Sequence, residues 1–135
     1  MKKLKLKTLL ILLLAISFSI SAQNKLLVGG SGWGQVAILD KTSGEIEWSH
    51  QLDKGTECND AEMTREGNIL IGYKKGAKLI TKDQEVLWDF KAELEQELFT
   101  ATQLPNGNYF LAACAHPARF ITLNKKGKKI SEQNF

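Results

Sequence analysis

The residues of this 135-residue chain whose types could do chemistry are few and scattered. Cys114 and His116 stand two positions apart, a spacing that on an extended strand turns both side chains to one face. With Cys58 they offer thiolate and imidazole ligands of the kind zinc takes. No Cys-x-x-Cys pair accompanies them, and a fourth ligand would have to come from Glu57, Asp60 or water, so no metal is assigned. His116-Pro117, with Arg119 close behind, could bind an anion or exchange a proton near neutral pH. The plainer reading is a turn histidine beside a proline. Trp33 lies between Gly32 and Gly34, where a large aromatic can stack on a sugar or a partner surface, or fold back as a plug over its own sheet. Gly29-Gly30-Ser31-Gly32 leads into a strand, whereas a phosphate cradle opens onto a helix N-terminus.

What must position these residues is a pattern written three times: an apolar run, a gap, a second apolar run, a turn and, in two copies, a Trp. Its first runs are Leu26-Leu27-Val28-Gly29, Ile69-Leu70-Ile71-Gly72 and Tyr109-Phe110-Leu111-Ala112. Trp48 and Trp88 are 40 positions apart, as are the turns Gly67-Asn68 and Gly107-Asn108, a period at which one repeat is one four-stranded propeller blade. Runs such as Ile69-Leu70-Ile71 are continuously apolar rather than alternating, as strands covered on both faces are. The sequence therefore predicts an all-β fold of β-propeller blades at about 25–50, 57–91 and 97–133. The first is a three-stranded partial blade and the other two have four strands. Closed propellers have about 4–8 blades, so the segment is read as part of a larger propeller, ahead of closure by self-association or an open stack. Residues 91–97 are rich in helix formers; a long acidic connection with at most one helical turn is expected there.

Lys2, Lys3, Lys5 and Lys7 precede an apolar stretch at 9–16, and small residues follow at Ser21-Ala22. This is the layout of an export signal over 1–22, and it implies a periplasmic or extracellular protein. The apolar core is shorter than the roughly 20 residues that span a bilayer. Taking the four signal lysines from the formal charge of +3 leaves −1, so the body has no electrostatic case for nucleic acid. Lys125, Lys126, Lys128 and Lys129 flank Gly127 and are read as a solvated hairpin tip. Cys58 and Cys114 occupy different phases of the repeat. In an oxidising compartment they are either bonded or two separate thiols.

Asp40-Lys41-Thr42-Ser43-Gly44-Glu45-Ile46-Glu47-Trp48 resembles the tryptophan-docking repeat of quinoprotein-like propellers, the PQQ-like family whose enzymes bind pyrroloquinoline quinone. In that repeat a hairpin joins the third and fourth strands and the Trp docks on the adjacent blade. Ser43 replaces the usual Thr, Gln84 replaces the turn Gly of the second copy, and Ser131 stands at the third copy's Trp position. Leu104-Pro105-Asn106-Gly107-Asn108 resembles the turn of arylsulfotransferase-type propellers. These are framework motifs, and the fold carries many functions. The metal-binding and catalytic constellation of the quinone enzymes does not map onto this chain, so no cofactor and no catalytic residue is assigned.

The resemblance implies that the loops leading into each innermost strand and those between second and third strands share one face. That face would gather Trp33, Glu57, Asn59, Tyr73, Lys74, His116 and Arg119 as candidate ligand-binding residues. The resulting expectation is an exported, non-catalytic binding scaffold taking a glycan, peptide or protein. The alternatives are a segment of a quinoprotein-like or arylsulfotransferase-like enzyme, and a structural protein that self-associates through open blade faces.

Overall fold

The computed structural model describes residues 24–93 and 95–135; the export signal expected at 1–22 lies outside them. Among the described residues eleven strands follow in order: β1 (Lys25–Gly29), β2 (Gln35–Asp40), β3 (Ile46–Gln51), β4 (Cys58–Met63), β5 (Ile69–Tyr73), β6 (Gly76–Ile80), β7 (Val86–Lys91), β8 (Glu97–Gln103), β9 (Tyr109–Cys114), β10 (Arg119–Leu123) and β11 (Lys129–Asn134). They form three antiparallel meanders of three, four and four strands, β1–β3, β4–β7 and β8–β11. The fold is propeller-like, and each sheet is one blade. The acidic stretch before β8 forms no helix among its described residues; Gln96 N–H donates to Glu93 O at 3.0 Å across a turn.

The middle blade explains the continuously apolar runs. Successive side chains of a strand point to opposite faces. Ile69, Ile71 and Ile80 accordingly pack toward the first blade with Val36, Leu52 and Cys58. Leu70, Ala77 and Leu79 pack toward the third blade with Leu98, Ala101, Leu111 and Ile121. Every residue of β5 and β6 is buried. In β9, at the end of the stack, burial alternates instead: Tyr109, Leu111 and Ala113 are buried, and Phe110 and Ala112 are only partly covered.

Each outer strand carries an extra residue, so that Ile38 opposes Trp48 while Leu39 opposes Ile46. The same shift separates Trp88 from Val86 and Ser131 from Lys129. The tryptophan just beyond this bulge crosses to the next blade. Trp48 donates its indole N–H to Lys82 O at 2.7 Å, and His50 Nδ1 meets Gln84 Oε1 at 2.6 Å. Trp88 packs edge-on against Tyr109, ring centroids 4.9 Å apart, and lies over Gly127. Its receiving hairpin turns through Gly127 at φ 73°, Gln84 holds the same place at φ 71°, and Gly44 does so at φ 74°. A non-glycine residue is strained there. Gln84 remains useful because its amide also donates to Ser49 O at 3.0 Å, tying the first two blades.

The innermost strands β4 and β8 are joined by side chains reaching the neighbouring backbone. Asp60 accepts from Ala101 N–H at 3.0 Å, Asn59 donates to Leu98 O at 2.7 Å, and Glu62 accepts from the Thr102 hydroxyl at 2.5 Å. A half-buried carboxylate satisfied by backbone N–H makes a charge-assisted bond that fixes register as well as adding energy. The first blade has no described strand at this innermost position, and β1 pairs only with β2.

Candidate binding cleft on the loop face

At one end of the stack two of the hairpins are tied to the connections between blades. Leu52 N–H donates to Gly34 O at 2.9 Å, Ala92 N–H to Lys75 O at 2.8 Å, and Leu98 N–H to Lys74 O at 3.0 Å. Each lead-in to an innermost strand is thereby pinned to a hairpin beside it. Between residues 53–56 and the β5–β6 hairpin opens a cleft of about 340 Å³, lined by Asp53, Lys54, Tyr73, Lys74, Lys75 and Lys91 among others.

Tyr73 lies against the buried side of this cleft. Antiparallel register sets Tyr73 opposite Gly76, Gly76 opposite Lys91, and Lys78 opposite Asp89. Gly76 is obligatory, since a Cβ there would lie 2.0 Å from Phe90 O and 2.9 Å from the Tyr73 hydroxyl. The Tyr73 hydroxyl donates to Asp89 Oδ1 and accepts from Lys91 Nζ at 2.7 Å, while Lys91 Nζ also reaches Asp89 Oδ2 at 2.8 Å. Lys91 and Lys78 Nζ stand 5.0 and 5.5 Å from the Tyr73 ring centroid, within range of the ring's negative face. Burial, followed by the hydrogen bond to Asp89, pushes the Tyr73 phenol up to about 12. Asp89 and then Tyr73 raise the pKa of Lys91.

These shifts give a pH prediction. A phenol in the unfolded chain ionises near pH 10, below the folded value of about 12, so the fold favours the neutral form. The stabilisation linked to Tyr73 is complete below about pH 10 and is lost as pH rises toward 12. Unfolding free energy measured in urea is expected to fall across that window, and Tyr73→Phe should remove part of the fall. Tyr109 is raised as well, mainly by burial, so the variant isolates the contribution of Tyr73.

Of the other candidates, Lys74 borders the cleft, with Nζ 3.9 Å from Glu97. Glu57 is exposed in the connection leading to β4. Asn59 is the bulge residue of β4, and its amide is spent on the backbone of β8. His116 is exposed after β9 and is joined to Pro117 by a cis peptide. Arg119 is held by carboxylates: Nη1 donates to Glu93 at 2.9 Å and Glu132 at 3.1 Å. Gln96, its amide oxygen turned to the guanidinium, accepts from Arg119 Nε at 2.9 Å. Trp33 lies away from the cleft, 40% exposed on the outward face of the first blade beside Leu26, Val28 and Leu39. The structure thus brings Tyr73 and Lys74 together and adds Lys54 and Lys91, which the sequence reading did not single out.

Cys58 and Cys114 are free thiols, the first buried and the second exposed. Burial pushes the Cys58 thiol up, away from thiolate chemistry. Among the described residues no group of three His, Cys, Asp or Glu side chains comes together as a metal site.

The fold and the cleft define an all-β, propeller-like protein with a cationic recess on its loop face. The chain is similar to a protein of unknown function from Bacteroides caccae, 46% identical with a TM-score of 0.76, over 82% of this chain and 40% of that one. It is also similar to BamB from Moraxella catarrhalis, 10% identical with a TM-score of 0.45, over 82% of this chain and 46% of that one. The chain thus spans less than half the length of either. No protein-family model matches it, and no curated protein does.

Proposed function

We infer that the chain is an exported, quinoprotein-like binding scaffold without catalysis of its own, and that its loop face takes a ligand bearing carboxylate or phosphate groups, whether on a glycan, a peptide or a protein. The observation that carries this reading is the cleft in which Lys54, Lys74, Lys75 and Lys91 converge beside Tyr73, with Asp53 as the acid on its lining. Concave walls concentrate the field of like charges. The Tyr73–Asp89–Lys91 network holds Lys91 in place, so little ordering is left for a ligand to impose.

Titration calorimetry against polygalacturonate, poly-glutamate and neutral dextran tests it. Binding of an anionic probe that weakens with salt, falls about tenfold or more in Lys74→Glu, and is absent for dextran is the expected result. Equal affinity of the variant, or no binding of either polyanion, would overturn it.

A further inference from the structure

The contacts between the first and second blades and between the second and third are built on one plan and filled differently. In the second blade Leu70, Leu79 and Trp88 stand opposite one another across β5, β6 and β7, and all three are buried against the third blade. The matching row of the first blade is Leu27, Ile38 and Trp48 across β1, β2 and β3. There Ile38 is buried, but Leu27 and Trp48 are only partly covered. Two replacements account for the difference. Tyr109, which meets Trp88 edge-on, has Ile69 as its counterpart in the second blade, each opposite the last residue of an innermost strand, Gln103 or Met63. Trp88 also needs a bare Gly127, because a Cβ there would lie 2.6 Å from its Cγ, whereas Gln84 puts a Cβ at the same corner. Trp48 therefore cannot take the seat that Trp88 takes, and its N–H is held instead by Lys82 O at 2.7 Å. Beside it remains a cleft of about 590 Å³ floored by Leu27, Ile38 and Met63 and rimmed by Lys25, Glu47 and Lys82. The lead-in to β1 is tied to the first blade's own hairpin, Asn24 O accepting from Lys41 N–H at 2.7 Å.

We propose that this cleft is a binding site for a small planar aromatic acid, separate from the loop-face cleft, which lies at the other end of β6. Its volume falls within the range of about 300–1,000 Å³ usual for small-molecule sites. One wall is the Trp48 indole and the floor is aliphatic and thioether, so a flat apolar ring gains stacking as well as burial there. A sugar would instead set hydroxyls against a floor without polar side chains, at a cost in unmet hydrogen bonds. The rim carries two lysines and one carboxylate. Lys25 Nζ meets Glu47 at 2.5 Å, and Lys82, exposed on the turn before β7, is the cation placed to hold the ligand's carboxylate.

Equilibrium dialysis of the purified protein against 2-naphthoate tests this, with circular dichroism on each variant to verify the fold. Saturable binding of one molecule per chain is expected. It should be weaker by about tenfold for cyclohexanecarboxylate, which cannot stack, and for 2-naphthalenemethanol, which carries no charge. Lys82→Glu should weaken 2-naphthoate about tenfold. Gln84→Gly should weaken it at least as much while the protein stays folded, because the indole can then settle on the hairpin as Trp88 does on Gly127 and fill the cleft. Glycine also accepts the positive φ of that corner without strain. An absence of saturable binding would overturn the proposal, as would either folded variant binding as tightly as the wild type. Cyclohexanecarboxylate binding as tightly as 2-naphthoate would overturn it too, because the indole would then play no part.

Discussion

Trp88→Ala is expected to cost about 3–5 kcal/mol, the range for removing a buried aromatic whose site cannot collapse, and to separate the third blade from the second. The indole is buried within the cluster that joins these blades, edge-on to Tyr109 and in contact with Gly127. Its N–H has no partner among the described residues, so the expected loss is one of packing and apolar burial. Each blade is stabilised by its neighbours, and total stabilities of single domains are about 5–15 kcal/mol. The third blade should therefore melt first, producing two transitions where one is expected of the wild type. Trp48→Ala makes the control: that ring is only partly buried and donates to Lys82 O, so a smaller loss is expected. A single transition unshifted in Trp88→Ala would show that the ring does not bind the two blades together.

Gly127→Ala should cost about 2–5 kcal/mol, combining about 1–2 for an L-residue in the left-handed region with about 1–3 for overpacking. The backbone stands at φ 73°, and the new methyl would lie 2.6 Å from Trp88 Cγ and 2.7 Å from Cδ2. Those are atoms of a buried ring in edge contact with Tyr109, so they cannot swing away as the end of a flexible chain would. Gly44→Ala separates the two contributions. Its φ is 74°, yet nothing lies within 4 Å of the added carbon, so only the backbone share of about 1–2 kcal/mol is expected. Urea denaturation of both variants gives the comparison. Equal losses would mean that Gly127 is needed for its backbone alone and that no indole rests on it.

The strands were legible because local chemistry and packing agree. Ile69 to Tyr73 form one buried strand because blades cover both of its faces, and that condition writes an unbroken apolar run. The Gln84 turn was legible only by comparison between copies: no propensity places Gln at φ 71°, yet Gly44 and Gly127 mark the same corner of the hairpin. The cleft was half legible. Tyr73 and Lys74 follow directly from the β5–β6 turn, but Lys91 arrives through two hairpin registers and the bulge between Leu79 and Ile80. Lys54 comes from a connection between blades. Arg119 shows the opposite failure. In sequence it stands free near His116, whereas in the fold Glu93 from the preceding connection and Glu132 from β11 both reach it. Ion pairs between distant segments leave no local trace in a single sequence.

The three tryptophans of the chain happen to be distributed one to each kind of surface. Trp88 is buried between the second and third blades with no polar partner among the described residues, Trp48 bridges the first and second blades through a carbonyl, and Trp33 stands 40% exposed on the outward face of the first blade. Intrinsic fluorescence is therefore spatially encoded without any added dye. A soluble quencher is expected to reach Trp33 first and Trp88 last, and single Trp→Phe replacements would assign each contribution to its place in the stack.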